Sequence, residues 1–118
     1  MPDDGTLVIR QVLPDEWWRW REVRLRMLRD DADFFSTRYD DMVREPEATW
    51  RNWVAGAAAG EEKTLFVAEE DGRWLGVVGA FARVNPLEVQ LISMWVDPAA
   101  RGRGLAQQLI RAVAGWAL

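Results

Sequence analysis

Cysteine and histidine are both absent from the 118 residues, and tyrosine occurs once, at Tyr39. Without cysteine there is no disulfide framework, thiol nucleophile or thiolate metal cluster. Without histidine there is no Ser-His-Asp triad and no imidazole base. Carboxylates remain able to hold a hard cation, but no ligand loop of the EF-hand type is present. Proton transfer must therefore fall to Asp, Glu, Tyr, Lys or water, which suits a reaction with modest demands on proton handling.

A basic surplus is also lacking. The net charge of −4 argues against general nucleic-acid binding. No apolar run reaches membrane-spanning length. The start, MPDDGTLVIR, has neither a basic n-region nor an apolar h-region, so a cytoplasmic protein that does not engage a membrane is expected. Apolar residues at 49% and charged residues at 29% fit a single soluble globular domain over residues 1–118.

What is present centres on residues 87–118, LEVQLISMWVDPAARGRGLAQQLIRAVAGWAL. From Leu87 to Val96 the residues suit a buried strand, and Pro98, which has no N–H to donate, stops pairing near Asp97. Arg101-Gly102-Arg103-Gly104 then permits a turn with little side-chain obstruction. Leu105, Leu109, Ala112, Val113 and Trp116 follow at helical spacing and form one apolar stripe. A strand leading through glycines into a helix start offers free N–H groups at the positive end of a helix dipole, which is an anion site and most often a phosphate site. The plainer reading of the same glycines is a strand-loop-helix connection that needs them for packing. No Gly-x-x-x-x-Gly-Lys-Ser/Thr is present, and Gln107 breaks the Gly-x-Gly-x-x-Gly fingerprint, so neither a P-loop nor a Rossmann site is indicated.

The preceding chain reads as follows. Thr6 to Val12 is a first strand. Pro14-Asp15-Glu16 opens a helix running to about Arg29, with Trp17, Trp20, Met27 and Leu28 on one side and Trp18 and Leu25 beside them. Arg21 and Arg24 lie near that stripe. The first expectation for Arg24 is a stem reaching water with a structural ion pair; the functional alternative is that it borders a substrate cleft and positions a carboxylate. Residues 30–44 read as an acidic loop with a short helical piece, in which Phe34, Phe35 and Tyr39 either wall a pocket or fill space. Glu45-Pro46-Glu47 begins another helix with Trp50, Trp53, Val54, Ala57 and Ala58 on its apolar face, ended by Gly60. Thr64–Glu70 and Arg73–Val84 form a hairpin about Asp71-Gly72, and Gly76 and Gly79 mark a bulge or a close approach. Asn85-Pro86 turns the chain into the strand at Leu87. The order β-α-α-β-β-β-α implies an α+β fold with a mostly antiparallel sheet flanked by helices. Most of the eight tryptophans lie on apolar faces and are expected in cores.

The pattern Arg/Gln-x-x-Gly-x-Gly/Ala, here Arg101-Gly102-Arg103-Gly104-Leu105-Ala106 behind MWVDPAA, closely resembles the acetyl-CoA signature of the GNAT superfamily of N-acetyltransferases. The resemblance covers the first two-thirds of such a domain. It implies that acetyl-CoA is the cosubstrate, with pantetheine along Met94, Trp95 and Val96 through backbone groups of Met94 and Val96. It places the pyrophosphate on the N–H groups of Arg101, Gly102, Arg103, Gly104, Leu105 and Ala106. The implied reaction is direct attack by the amine of a small molecule or peptide on the thioester. A glutamate base of one family branch aligns with Gln90, which cannot accept a proton usefully. Period-two alternation puts Glu88, Gln90, Ile92, Met94 and Val96 on one face, so Glu88 becomes the candidate base, acting through water.

A domain of this family continues beyond the signature helix into a strand, a helix and a hairpin, with a tyrosine acid in that region. The chain stops at Leu118. The resemblance therefore implies a truncated domain whose central strand is an open edge, suited to a homodimer partner or a complementing chain. Two further readings stand beside the enzyme: a non-catalytic acyl-CoA-binding module, and a degenerate fragment that folds only with a partner.

Overall fold

The computed structural model describes residues 6–83 and 88–118. The expected end of the hairpin at Val84, the Asn85-Pro86 turn and Leu87 lie outside them. The described chain has five strands and four α-helices, and divides into two compact units. One comprises residues 1–12 and 56–118, the other residues 13–55.

The first unit is built on the sheet. β1 (Leu7–Gln11), β2 (Lys63–Glu70), β3 (Arg73–Arg83) and β4 (Glu88–Leu91) lie in that order, every neighbouring pair antiparallel. Asp71 and Gly72 turn β2 into β3 with φ of 53° and 75°, as a tight hairpin requires. β5 (Trp95–Val96) also pairs with β3, next along the same edge as β4. α4 (Leu105–Ala117) presents Leu109 and Val113 to Ala68, Val78 and Ala80, with Leu7, Ile9, Phe66, Met94 and Trp116 around them. Spacing of three and four residues puts these side chains on one helix face, and the period-two rule gathers their partners on one sheet face. Gly76 lets helix and strand approach, since a Cβ there would stand 3.2 Å from both Leu109 Cδ1 and the Trp95 carbonyl.

The expected continuous strand from Leu87 to Val96 is not what forms. Ala80 pairs with Leu91 and Val77 with Trp95, so Ile92, Ser93 and Met94 occupy the space opposite Gly79 and Val78. That is one residue too many, a β-bulge, and it reverses the alternation. Antiparallel partners share a face. Glu88, Gln90 and Ile92 therefore lie with Phe81 and Gly79, and Trp95 joins them, while Val96 lies with Gly76 on the α4 face. The expectation that Glu88, Gln90, Ile92, Met94 and Val96 share one face is corrected accordingly. Met94 and Val96 pack on the α4 side, against the two apolar clusters there.

The second unit is helical. A 3-10 turn (Pro14–Glu16) precedes α1 (Trp17–Asp30), and the Glu16 carboxylate accepts a hydrogen bond from the Leu13 N–H at 2.9 Å. The acidic loop holds a 3-10 turn (Ala32–Phe34) and a single helical turn, α2 (Tyr39–Met42). α3 (Glu47–Ala59) begins here and ends at Gly60. Trp20, Trp50 and Trp53 form an aromatic stack, Trp53 lying edge-on to Trp20 at 5.2 Å and parallel to Trp50 at 5.8 Å. The buried face of α1 is Trp20, Arg24, Met27 and Leu28, with Trp18 left half exposed. Arg24 corrects the first expectation: it is 7% exposed and has no ion pair among the described residues.

Candidate functional site

The Asp97-Pro98 pair sets the path into the glycine turn. The Asp97 N–H donates to the Leu75 carbonyl at 2.8 Å, the last bond of the β5–β3 ladder. Its buried carboxylate then accepts from the Ala99 N–H at 2.9 Å, folding residues 98–100 into a 3-10 turn. Ala100 and Leu105, each 2% exposed, seat both ends of the turn on Leu75. Asp97 is a positioning residue that the sequence reading passed over, although an Asp before a Pro at a strand end is the local signal for it.

Between those anchors the chain rises clear of the sheet. Gly102 has φ of 89° and Gly104, which caps α4, has φ of 76°, a region L-residues avoid. A Cβ at either position would meet nothing within 4 Å. Glycine is therefore required here by backbone conformation rather than by close packing, and the space above it is open. The N–H groups from Gly102 to Gln107 have no hydrogen-bond partner among the described residues. The first intrahelical bond after Gly104 is Gln108 N–H to the Gly104 carbonyl at 3.2 Å. Six consecutive amides at a helix N-terminus with open space in front suit an anion.

The arginine side chains of the turn are engaged. Arg101 Nε donates to the Val96 carbonyl at 2.9 Å. Arg103 donates through both terminal nitrogens to Glu70, at 3.3 and 2.6 Å. That pairing raises the Arg103 pKa above its ordinary value, chiefly through the hydrogen bond and then through charge attraction. Glu70 stands 33 residues away in sequence, so no local pattern announced it.

Beside the turn runs the outer edge of β5. Asp97 bonds to Leu75, so the alternation of an antiparallel ladder turns the polar groups of Trp95 toward Val77 and those of Val96 outward. The Met94 N–H and carbonyl, within the bulge, have no partner among the described residues. Trp95 is drawn the other way: the residue is 4% exposed and its backbone is taken up by β3, so it does not offer a contact at this edge. Glu88 and Gln90 are exposed on β4, and with Glu62, Phe81 and Arg83 they border an open groove at that end of the sheet. The sequence-derived residues thus fall in two places, the turn with its edge (residues 94–106) and the β4 groove (Glu88).

The profile of the Acetyltransferase (GNAT) family matches residues 15–118. The chain belongs to the GNAT acetyltransferase family. Solved members with a similar fold include the aminoglycoside N-acetyltransferase AAC(6')-Iy in complex with CoA (24% identity, 98% of this chain and 72% of that one, TM-score 0.70). A PaiA N-acetyltransferase from Thermoplasma acidophilum in complex with coenzyme A matches over 95% and 72% at 12% identity, with TM-score 0.78. A predicted acetyltransferase with acetyl-CoA from Clostridium acetobutylicum matches over 93% and 72% at 15% identity, with TM-score 0.68. At such identities these likenesses establish a shared GNAT fold. No curated protein matches the sequence. Among the described residues no helix is long and apolar enough to cross a membrane.

Proposed function

We propose that the chain is an acetyl-CoA-dependent N-acetyltransferase that passes the acetyl group to a primary amine by direct attack, with residues 1–118 contributing one GNAT-like domain. The observation that carries the reading is the run of unpartnered N–H groups from Gly102 to Gln107, opened by two left-handed glycines at the start of α4.

Bound acetyl-CoA would supply an acetyl thioester. The amides of Gly102, Arg103, Gly104, Leu105 and Ala106 suit its diphosphate, and Arg101 and Arg103 add positive charge once released from Val96 and Glu70. The outward N–H of Val96 and the free backbone groups of Met94 suit the amides of a pantetheine arm laid along β5 as an added strand. The Glu88 carboxylate would first take the ammonium proton through water, since the Gln90 amide has no use as a base. The freed amine lone pair would then form the C–N bond while the C–S bond breaks, and the second proton on the nitrogen would pass to the departing thiolate.

Calorimetric titration of acetyl-CoA into the chain tests the turn, with Gly104→Glu as the paired variant. A side chain at φ 76° is strained, and its carboxylate faces the diphosphate. Binding by the native chain, weakened at least tenfold in Gly104→Glu, supports the assignment. Release of free thiol on adding amines, lowered in Glu88→Gln, then tests the base. Cofactor binding without transfer to any amine selects the non-catalytic acyl-CoA-binding reading instead.

A further inference from the structure

The groove at the ends of β3 and β4 lies wholly within the sheet unit. Glu62, Phe81, Arg83, Glu88 and Gln90 are among the residues that line it, and its volume of about 610 Å³ suits a small ligand. The ladder pairs Arg83 with Glu88 and Phe81 with Gln90. Antiparallel partners share a face of the sheet, as do residues two apart on one strand. Phe81, Arg83, Glu88 and Gln90 therefore stand on one face, with the two charged residues directly opposite each other. Opposite charges so placed attract and commonly pair. Arg83 and Glu88 do not: both are exposed, and neither forms an ion pair or hydrogen bond with a side chain among the described residues. Next to them Phe81, 44% exposed, leaves apolar surface to water.

The groove thus holds two charges of opposite sign, both unmatched, and its third charge, Glu62, is negative. A simple carboxylic acid would meet two carboxylates for one guanidinium. A simple amine would leave the guanidinium unmatched. A ligand with an ammonium and a carboxylate close together gives a partner to both Arg83 and Glu88. We propose that the acceptor is an α-amino acid, with its carboxylate on Arg83, its amino group at Glu88 and an apolar side chain over Phe81. This rests on the transferase reading for Glu88 as the base, and it names the class of amine that reaches that base. Arg83 selects the acceptor and takes no part in proton transfer. The C–N bond forms at the α-nitrogen as the C–S bond breaks, so the products are an N-acetylamino acid and the free thiol.

Calorimetric titration of three small molecules into the full chain tests the site. They are L-phenylalanine, L-phenylalaninamide, which lacks the carboxylate, and hydrocinnamate, which lacks the amine. L-Phenylalanine is expected to bind about fivefold more tightly than either. Arg83→Gln, at an exposed position with no partner to lose, should bring L-phenylalanine down to the affinity of the amide. Arg83→Lys, which keeps the charge without the planar fork, should retain part of the advantage. In a thiol-release assay with acetyl-CoA, the Arg83→Gln loss should fall on KM for L-phenylalanine more than on kcat. Equal affinities for L-phenylalanine and its amide, tighter binding of hydrocinnamate, or an advantage that survives Arg83→Gln would overturn the proposal. L-Phenylalanine binding through Arg83, with no amine releasing thiol, would sink only the transferase reading. Thiol release that is equal with L-phenylalanine and its amide would sink only the amino-acid site.

Discussion

Arg103 donates two hydrogen bonds to Glu70 from within the glycine turn, and the two residues stand 33 positions apart in sequence. An exposed pair of this kind adds little to stability, because water screens it and both side chains lose freedom. Under the proposed function its interest is competitive: a diphosphate at the turn would compete with the Glu70 carboxylate for the same guanidinium. Glu70→Gln keeps a hydrogen-bonding group of the same size and removes the charge. Acetyl-CoA should then bind about threefold more tightly by calorimetry. An unchanged affinity would mean that Arg103 does not turn toward the ligand. Arg101 and Arg103 were both legible in the sequence as turn residues. Their tethers were not: Val96 is only five residues from Arg101 but is met by a side chain folding back on the backbone, and Glu70 becomes a neighbour of Arg103 only through the fold.

Among the elements, the bulge at Ser93 and Met94 decides most. Deleting Ser93, itself buried, would restore strict alternation and carry either residues 88–92 or residues 95–97 to the wrong face. A loss of stability of about 3 kcal/mol or more is expected, read as a lower urea midpoint. A shift below about 0.5 kcal/mol would show that the strand slips register freely. The sequence made the helices and the hairpin readable because their signals are local: Pro14 and Pro46 near helix starts, Asp71-Gly72 at the turn, and the repeat from Leu105 to Val113. The bulge gave no such signal. Ile92-Ser93-Met94 continues the apolar run smoothly, and only its pairing with β3 exposes the extra residue. That is why Glu88 and Val96 were placed together when they lie on opposite faces. Arg24 was misjudged for a related reason: periodicity put it on the apolar face, but spacing along one helix cannot say whether water or a counter-charge waits there.

At the scale of the whole molecule, stability of the sheet unit should rest on the layer between α4 and the sheet. Leu109 is fully buried against Ala68, Val78 and Ala80, and its side chain also closes over Gly76. Leu109→Ala is expected to cost about 2–5 kcal/mol in denaturant unfolding, the range for removing a core leucine and leaving a cavity. Because α4 carries the glycine turn at its N-terminus, the same change should, on the proposed function, weaken acetyl-CoA binding even though Leu109 lies outside the turn. Stability lost with affinity retained would argue that the turn is held by Asp97, Ala100 and Leu105 alone. The α+β class and the family followed from element order and from the Arg101–Ala106 pattern. The division into two units did not, because α3 runs through the boundary without a break in its helical spacing.

The extra residue in the β4–β5 edge also bears on how this protein can change. Substitutions from Glu88 to Ile92 alter a surface whose orientation ends at the bulge, while Val96, Asp97 and the glycine turn keep an independent register against β3. Variation in one segment is therefore not transmitted as a rotation of the other. A lineage could exchange the charged and polar groups along β4 while inheriting the glycine turn unaltered.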